Sequence, residues 1–210
     1  MSVASFLTDV EIEALNAAGT PLARPFNPRW VQGASIDLHL SGEQYSYNKE
    51  QYRIGDALTD EDYTHSSFTE ITLKPTETAF VGVLETLAIP ANCIGFVFAR
   101  SSLTRLGLNV APVFMNPGYT GRMPLTLTNA AAFPMTIRSG IRVAQLVCAR
   151  LAVNPTKLYD GVEAKYANEH MAPSRIYQDK DINLGIIPLT HVCPEPLTLT
   201  IAEHRVAVAG

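Results

Sequence analysis

From Phe68 to Leu151 the apolar residues come in short runs broken by Pro, Gly or Asn: TEITL, TAFVGVLE, CIGFVFAR, PLTLTN, MTIRS and VAQLVCARL. Runs of this length and spacing, with little helix-period material between them, predict an all-β fold, a sandwich or barrel. Upstream, Ile36, Leu38 and Leu40 alternate with Asp37 and His39, the period of a half-buried strand. Residues 41–66 are polar and rich in tyrosine and acids, and read as a long surface excursion. Helical signals are few. LTDVEIEALNAA at 7–18 is amphipathic, with Thr8 three residues before Glu11 in capping-box spacing and Gly19 suited to the stop. SSLTRLG at 101–107 predicts a turn or two ended by Gly107, and Pro21, Pro25 and Pro28 predict an extended connection. Residues 155–181 are loop-like in composition, while LGIIPLTHV and LTLTIAEHRVAVA near the end look like further strands. There is no repeat, low-complexity tract or linker, so one domain is expected.

Composition narrows the function classes. The 210 residues are 47% hydrophobic and 17% charged, enough apolar material for a sizeable core. A net charge of −4 supplies no global basic field, so neither nucleic acid nor an anionic membrane is an expected partner, and any phosphate affinity must be local. Cys93, Cys148 and Cys193 lack metal-site or disulfide-framework spacing, and two of them sit inside apolar runs as small hydrophobes. No basic-then-apolar leader and no run near the roughly 20 apolar residues of a membrane span is present, which leads us to expect a cytoplasmic protein.

Candidate chemistry concentrates between Ile94 and Arg150. A strand ending at Arg100 and followed by Ser101 and Ser102 at a helix start leaves free amides and hydroxyls pointing outward, with Arg100 and Arg105 nearby: an anion site, or simply a serine cap with surface arginines. In Asn116-Pro117-Gly118-Tyr119-Thr120-Gly121 the glycines allow close backbone approach and Tyr119 offers a flat face, although a plain β-turn has the same residues. Gln145 interrupts an apolar run, so it is either paired with backbone in the core or presented to a ligand.

Taken in order, RPFNP after the capped helix, GASIDLHL, RSSLTRLGL, NPGYTG, GIRVAQL and AKYANEHMAPSRI resemble the dCTP deaminase and dUTPase family, and the deaminase branch most. The resemblance runs to about residue 177, which suggests a domain at 1–177 and a C-terminal extension at 178–210, seen as extra strands. It implies a distorted β-barrel or jelly-roll that forms a homotrimer, with a deoxynucleoside triphosphate and Mg²⁺ at each subunit interface. The metal would be held mainly through the triphosphate. Carried onto this chain, Arg100, Ser101, Ser102 and Arg105 would hold phosphates, with Ser101 and Arg105 also serving the reacting base. Asn116 and Gly118 would form the turn beneath the sugar, and Tyr119 would lie against the deoxyribose. Gln145, Tyr159, Lys165, Tyr166 and Glu169 would close the pocket, Lys165 as a charge clamp on the triphosphate.

The pattern departs from the family at its acids. The carboxylate that should activate water falls at Thr126, and a threonine hydroxyl is too weak a base near neutral pH. The turn that should open with aspartate opens with Asn116, and a glutamine expected in the late segment is Glu169. Another acid enters the pocket (Glu169, Glu163 or Asp37), or the protein binds nucleotides without turning them over, or the register differs by a residue or two. The favoured expectation is a hydrolase of the dCTP deaminase type, giving dUTP. The alternatives are a diphosphatase giving a monophosphate and pyrophosphate, a silent nucleotide-binding regulator, and a structural barrel with a vestigial pocket.

Overall fold

The computed structural model describes residues 5–159 and 164–179. Its N-terminal helix, Asp9–Ala17, starts where the capping signal placed it: the Glu11 carboxylate accepts from the Thr8 backbone N–H at 3.0 Å and from its hydroxyl at 3.1 Å. Gly19, at φ +79°, turns the chain out of the helix. Everything else of size is β. One curled antiparallel sheet follows the order Leu108–Val110, Pro124–Asn129, Thr78–Val83, Ser35–Tyr47, Arg142–Arg150, Cys93–Ala99, Val113–Met115. A smaller sheet joins Glu169–His170, Thr120–Arg122, Thr86–Ala88 and Ala23–Arg24, and Glu70–Leu73 pairs with Met135–Arg138. This is the mostly-β half-barrel expected from the strand rhythm. The strands LGIIPLTHV and LTLTIAEHRVAVA, and most of the proposed extension, lie outside the described residues.

Two expectations from the apolar pattern are corrected. Residues 41–66 are not one surface excursion: the strand runs on through Ser35–Tyr47, and Tyr63–Ser67 pairs back against it. The period is broken by a bulge between Leu40 and Gln44 in its pairing with Thr78–Val83, where Gly42 sits at φ +84°. A Cβ at Gly42 would stand 2.7 Å from the Phe68 carbonyl oxygen, so the bend requires glycine. Nor is the 35–40 stretch half-buried, since Asp37 is 1% and His39 8% exposed. Its polar face is covered by other polar side chains. The buried Glu85 carboxylate takes the His39 backbone N–H at 3.0 Å and the ring Nδ1 at 2.7 Å, and Trp30 packs 4.4 Å from the imidazole. On the other face Ile36, Leu38, Leu40, Val81, Val97, Leu125, Leu127 and Leu146 form the core. Among the described residues no helix is long and apolar enough to cross a membrane.

Candidate active site

Two groups of side chains stand out, one built on charge and one on rings. The first is centred on Asp37. Strand register sets Phe98 of Cys93–Ala99 beside Gln145, and Gln145 beside Asp37, so residues distant in sequence share one row. Asp37 Oδ2 accepts from Arg142 Nη1 at 2.9 Å, and Oδ1 accepts from Gln145 Nε2 at 3.2 Å and faces Arg100 Nε at 3.5 Å. Gln145 also reaches Ser35 Oγ at 3.4 Å. The half-buried Gln145 thus pairs with a side-chain carboxylate and a hydroxyl, not with core backbone as one of its two readings had it. Just beyond Arg100 the chain turns into the helix Ser101–Thr104. Its backbone bonds begin with Leu103 N–H to Arg100 carbonyl oxygen, which leaves the Ser101 and Ser102 amides at the open start. Ser101, Ser102 and Arg105 are exposed, and Gly107, at φ +91°, ends the turn as expected.

The second group surrounds the 116–121 turn. Tyr119 N–H returns to the Asn116 carbonyl at 3.1 Å, and Gly118 adopts φ +85°. The late segment folds back over this turn: Tyr159 N–H donates to the Pro117 carbonyl at 2.8 Å, Asn168 N–H to the Thr120 carbonyl at 2.7 Å, and Met171 N–H to the Arg122 carbonyl at 2.8 Å. Glu169–His170 thereby becomes a short strand parallel to Thr120–Arg122, a pairing that loop-like composition hid. Tyr119 is only 4% exposed, and its hydroxyl donates to Glu169 Oε1 at 2.7 Å. The side chain that the resemblance sets against a sugar therefore serves as Glu169's hydrogen-bond donor. Gly121 lies directly behind, where a Cβ would come within 3.0 Å of Glu169 Cγ and of the Tyr119 hydroxyl.

These elements wall an open cavity of about 290 Å³ lined by Tyr45, Tyr47, Phe80, Thr126, Tyr166 and Glu169, with Val113, Met123, Pro124 and residues 172–174 completing it. Register explains the ring wall: Tyr45, Phe80 and Thr126 are lateral neighbours across three strands. Tyr45 and Phe80 stack at 5.0 Å, and Tyr47 meets Phe80 edge-on at 5.5 Å. Burial pushes the Glu169 carboxyl up to about 7, against the lowering effects of the Tyr119 hydrogen bond and the Arg175 charge. The Tyr119 phenol is likewise pushed upward, by burial first and by Glu169 second.

Of the residues named from sequence, the structure thus unites Thr126, Tyr166 and Glu169 at one cavity, with Asn116, Gly118, Tyr119 and Tyr159 in the turn and late segment behind it. It unites Arg100 and Gln145 at another place. Lys165 is engaged: its ammonium pairs with the Asp179 carboxylate, which raises its pKa. Tyr166 N–H donates to the Tyr159 hydroxyl at 3.1 Å, and the Tyr166 hydroxyl accepts from Arg175 N–H at 2.7 Å. Sequence reasoning missed Tyr45 and Tyr47, whose only signal was aromatic clustering in a stretch read as a surface excursion, and Phe80, which lies in an expected strand but was not singled out. It also missed Arg142, visible only through Asp37. Among the described residues no group of three or more His, Cys, Asp or Glu side chains converges to hold a metal.

A family model described as dCTP deaminase-like matches residues 6–151. A protein of Aquifex aeolicus named dCTP deaminase, dUMP-forming, is 32% identical over 179 residues, covering 84% of this chain and 97% of that protein. A Mycobacterium tuberculosis protein of the same name is 31% identical over 183 residues, covering 82% of this chain and 96% of its own length. Among solved structures, 2′-deoxycytidine 5′-triphosphate deaminase from Agrobacterium tumefaciens aligns with a TM-score of 0.56 at 22% identity, covering 71% of this chain and 49% of that one. That likeness speaks for the fold alone.

Proposed function

This chain belongs to the dCTP deaminase-like family, and on that premise we propose that it hydrolyses dCTP to dUTP and ammonia. The observation that carries the reading is the ring-walled cavity holding Thr126, Tyr166 and Glu169. Its volume of about 290 Å³ lies just below the usual range of ligand pockets, about 300–1,000 Å³, and its open mouth and aromatic wall offer a stacking face to a single-ring base. Arg100, Ser101, Ser102 and Arg105 supply guanidinium, hydroxyl and open amide donors of the kind a polyphosphate takes. Asp37, itself bonded by Gln145, faces Arg100 Nε at 3.5 Å and orients it for that task. In the order of the main sheet, the strands bearing Arg100 and Thr126 are separated by Arg142–Arg150, Ser35–Tyr47 and Thr78–Val83. This spacing supports a site completed by a second copy, in a homotrimer with pockets at the subunit interfaces. So does the surface next to Arg100, where Phe98 is 46% and Phe114 53% exposed and both pack on Phe96.

Mg²⁺ enters this scheme with the nucleotide, neutralising phosphate charge. A hard oxygen-seeking ion would find its ligands on the phosphate oxygens. A second reading, formation of dUMP and pyrophosphate, is favoured by relatives named dCTP deaminase, dUMP-forming. Incubation of the full chain with Mg²⁺ and dCTP, with ammonia and nucleotide products followed together, separates the two. Ammonia in step with dUTP is the expected result, and dUMP with pyrophosphate supports the second reading. No ammonia and no pyrophosphate from dCTP, dUTP or 5-substituted dCTP overturns both. Sedimentation is expected to give a trimer; single copies in the presence of nucleotide would remove the interface.

A further inference from the structure

We propose that Glu169 is the general base of this site, acting from the short Glu169–His170 strand on water at the ring-walled cavity. The inference rests on the deaminase reading above and names the group that performs its proton transfers. Hydrolytic deamination needs a side chain that takes a proton from water and returns it to the leaving nitrogen. Thr126 has no such capacity. Of the buried acids, Asp37 is engaged by Arg142, Arg100 and Gln145, and Glu85 is engaged by His39. Glu43 is held by Arg122 Nη2 at 2.5 Å, away from this cavity. Glu163 lies outside the described residues. Glu169 is the one acid among the described residues that line the cavity with Thr126.

Its setting suits the task. Tyr119 holds Oε1 at 2.7 Å, which fixes the carboxylate and leaves Oε2 for a water molecule. Gly121 pairs with Glu169 so closely that a Cβ there would stand 3.0 Å from Glu169 Cγ and backbone N, so the carboxylate is carried by sheet geometry instead of a free loop. Tyr119 and Arg175 are the groups that act on its charge, and burial outweighs them, so both protonation states are available near neutral pH.

Glu169 takes one proton from water while the water oxygen bonds to C4 of the cytosine ring, and the C4–N3 π pair moves to N3, which receives that proton from Glu169. The carboxylate then takes the proton of the new C4 hydroxyl and passes it to the amino nitrogen. The C4–N bond breaks with its electron pair going to nitrogen, ammonia leaves, C4=O forms, and Glu169 ends as the carboxylate it began as.

The test compares wild type and Glu169→Gln as full chains, with Mg²⁺ and dCTP, from pH 5 to pH 9. The expected result is a kcat lower by about 10²- to 10⁴-fold with KM changed only a few-fold, and a wild-type kcat that falls below about pH 7 as Glu169 protonates. Glu169→Gln is expected to keep the rise in melting temperature given by dCTP, which reports a formed site. A Glu169→Gln kcat within threefold of wild type overturns the proposal and leaves the deaminase reading standing. A wild-type profile flat between pH 5 and pH 8 does the same without any variant. Absence of ammonia from the wild type overturns the deaminase reading, and this proposal with it.

Discussion

Asp37 and Glu169 are both carboxylates withdrawn from water, and the molecule treats them in opposite ways. Asp37 lies in a row of side chains set by strand register, where two guanidinium groups and the side-chain amides of Gln145 and Gln32 meet its oxygens. Glu169 faces tyrosines and a phenylalanine, with one phenol hydroxyl on Oε1 and the Arg175 charge acting on it. The first arrangement matches the charge and makes the carboxylate a structural post for Arg100. The second leaves the charge undercompensated, and its proton becomes exchangeable near neutral pH. Carboxylate role here follows from company: burial is met by opposite charge at the fully buried residue 37 and is left largely unmet at the half-buried residue 169.

Breaking the structural member should have the larger effect. Asp37→Ala leaves Arg142, Arg100 and Gln145 facing one another across a polar gap, and we expect a loss of about 3 kcal/mol in urea unfolding. The rise in melting temperature with dCTP should vanish as well, because Arg100 loses its anchor. A variant that keeps both stability and the dCTP response would show that the row is dispensable.

Removing the other member should move stability in the opposite direction, and only in part of the pH range. The folded-state value of about 7 for Glu169 stands above its ordinary 4.5, so the native chain binds an extra proton between those values. Stability from this group is fully present below about pH 4.5 and is lost as pH rises through about 7. Glu169→Gln should therefore be more stable than wild type at pH 8 by about 1–2 kcal/mol, a figure reduced for partial solvent screening, and should match it near pH 4.5. Equal stabilities at pH 8 would mean that the carboxylate is better compensated than its neighbours suggest.

Tyr119→Phe should sharpen the contrast with the smallest change. Loss of the hydroxyl removes the bond that lowers the Glu169 pKa, so the acid limb of kcat should shift to higher pH, with about 1 kcal/mol lost in stability. An unmoved limb would separate Tyr119 from the titrating group.

The capped helix, the 101–107 turn and the 116–121 turn were legible because each depends on residues a few positions apart: Thr8 with Glu11, Ser101 with Gly107, Asn116 with Gly121. The strand rhythm from Phe68 onward was legible for the same reason. Asp37 was not. Its alternation with Ile36 and Leu38 pointed to a wet face, and only pairing with Arg142–Arg150 and proximity to Arg100 cover it. The ring wall was hidden by Gly42, whose bulge breaks the alternation just before Tyr45. Glu169 was placed among candidate acids by its spacing after Lys165 and Tyr166, but so were Glu163 and Asp37.

The order of strands, turns and chemistry-bearing blocks is thus a property of this sequence alone, since short-range conformational preference and apolar period are written locally. Which carboxylate is neutralised and which is left able to exchange a proton was decided by the tertiary structure. Desolvation and charge pairing depend on neighbours brought from 50 to more than 100 positions away, as Tyr119 meets Glu169 and Asp37 meets Arg142.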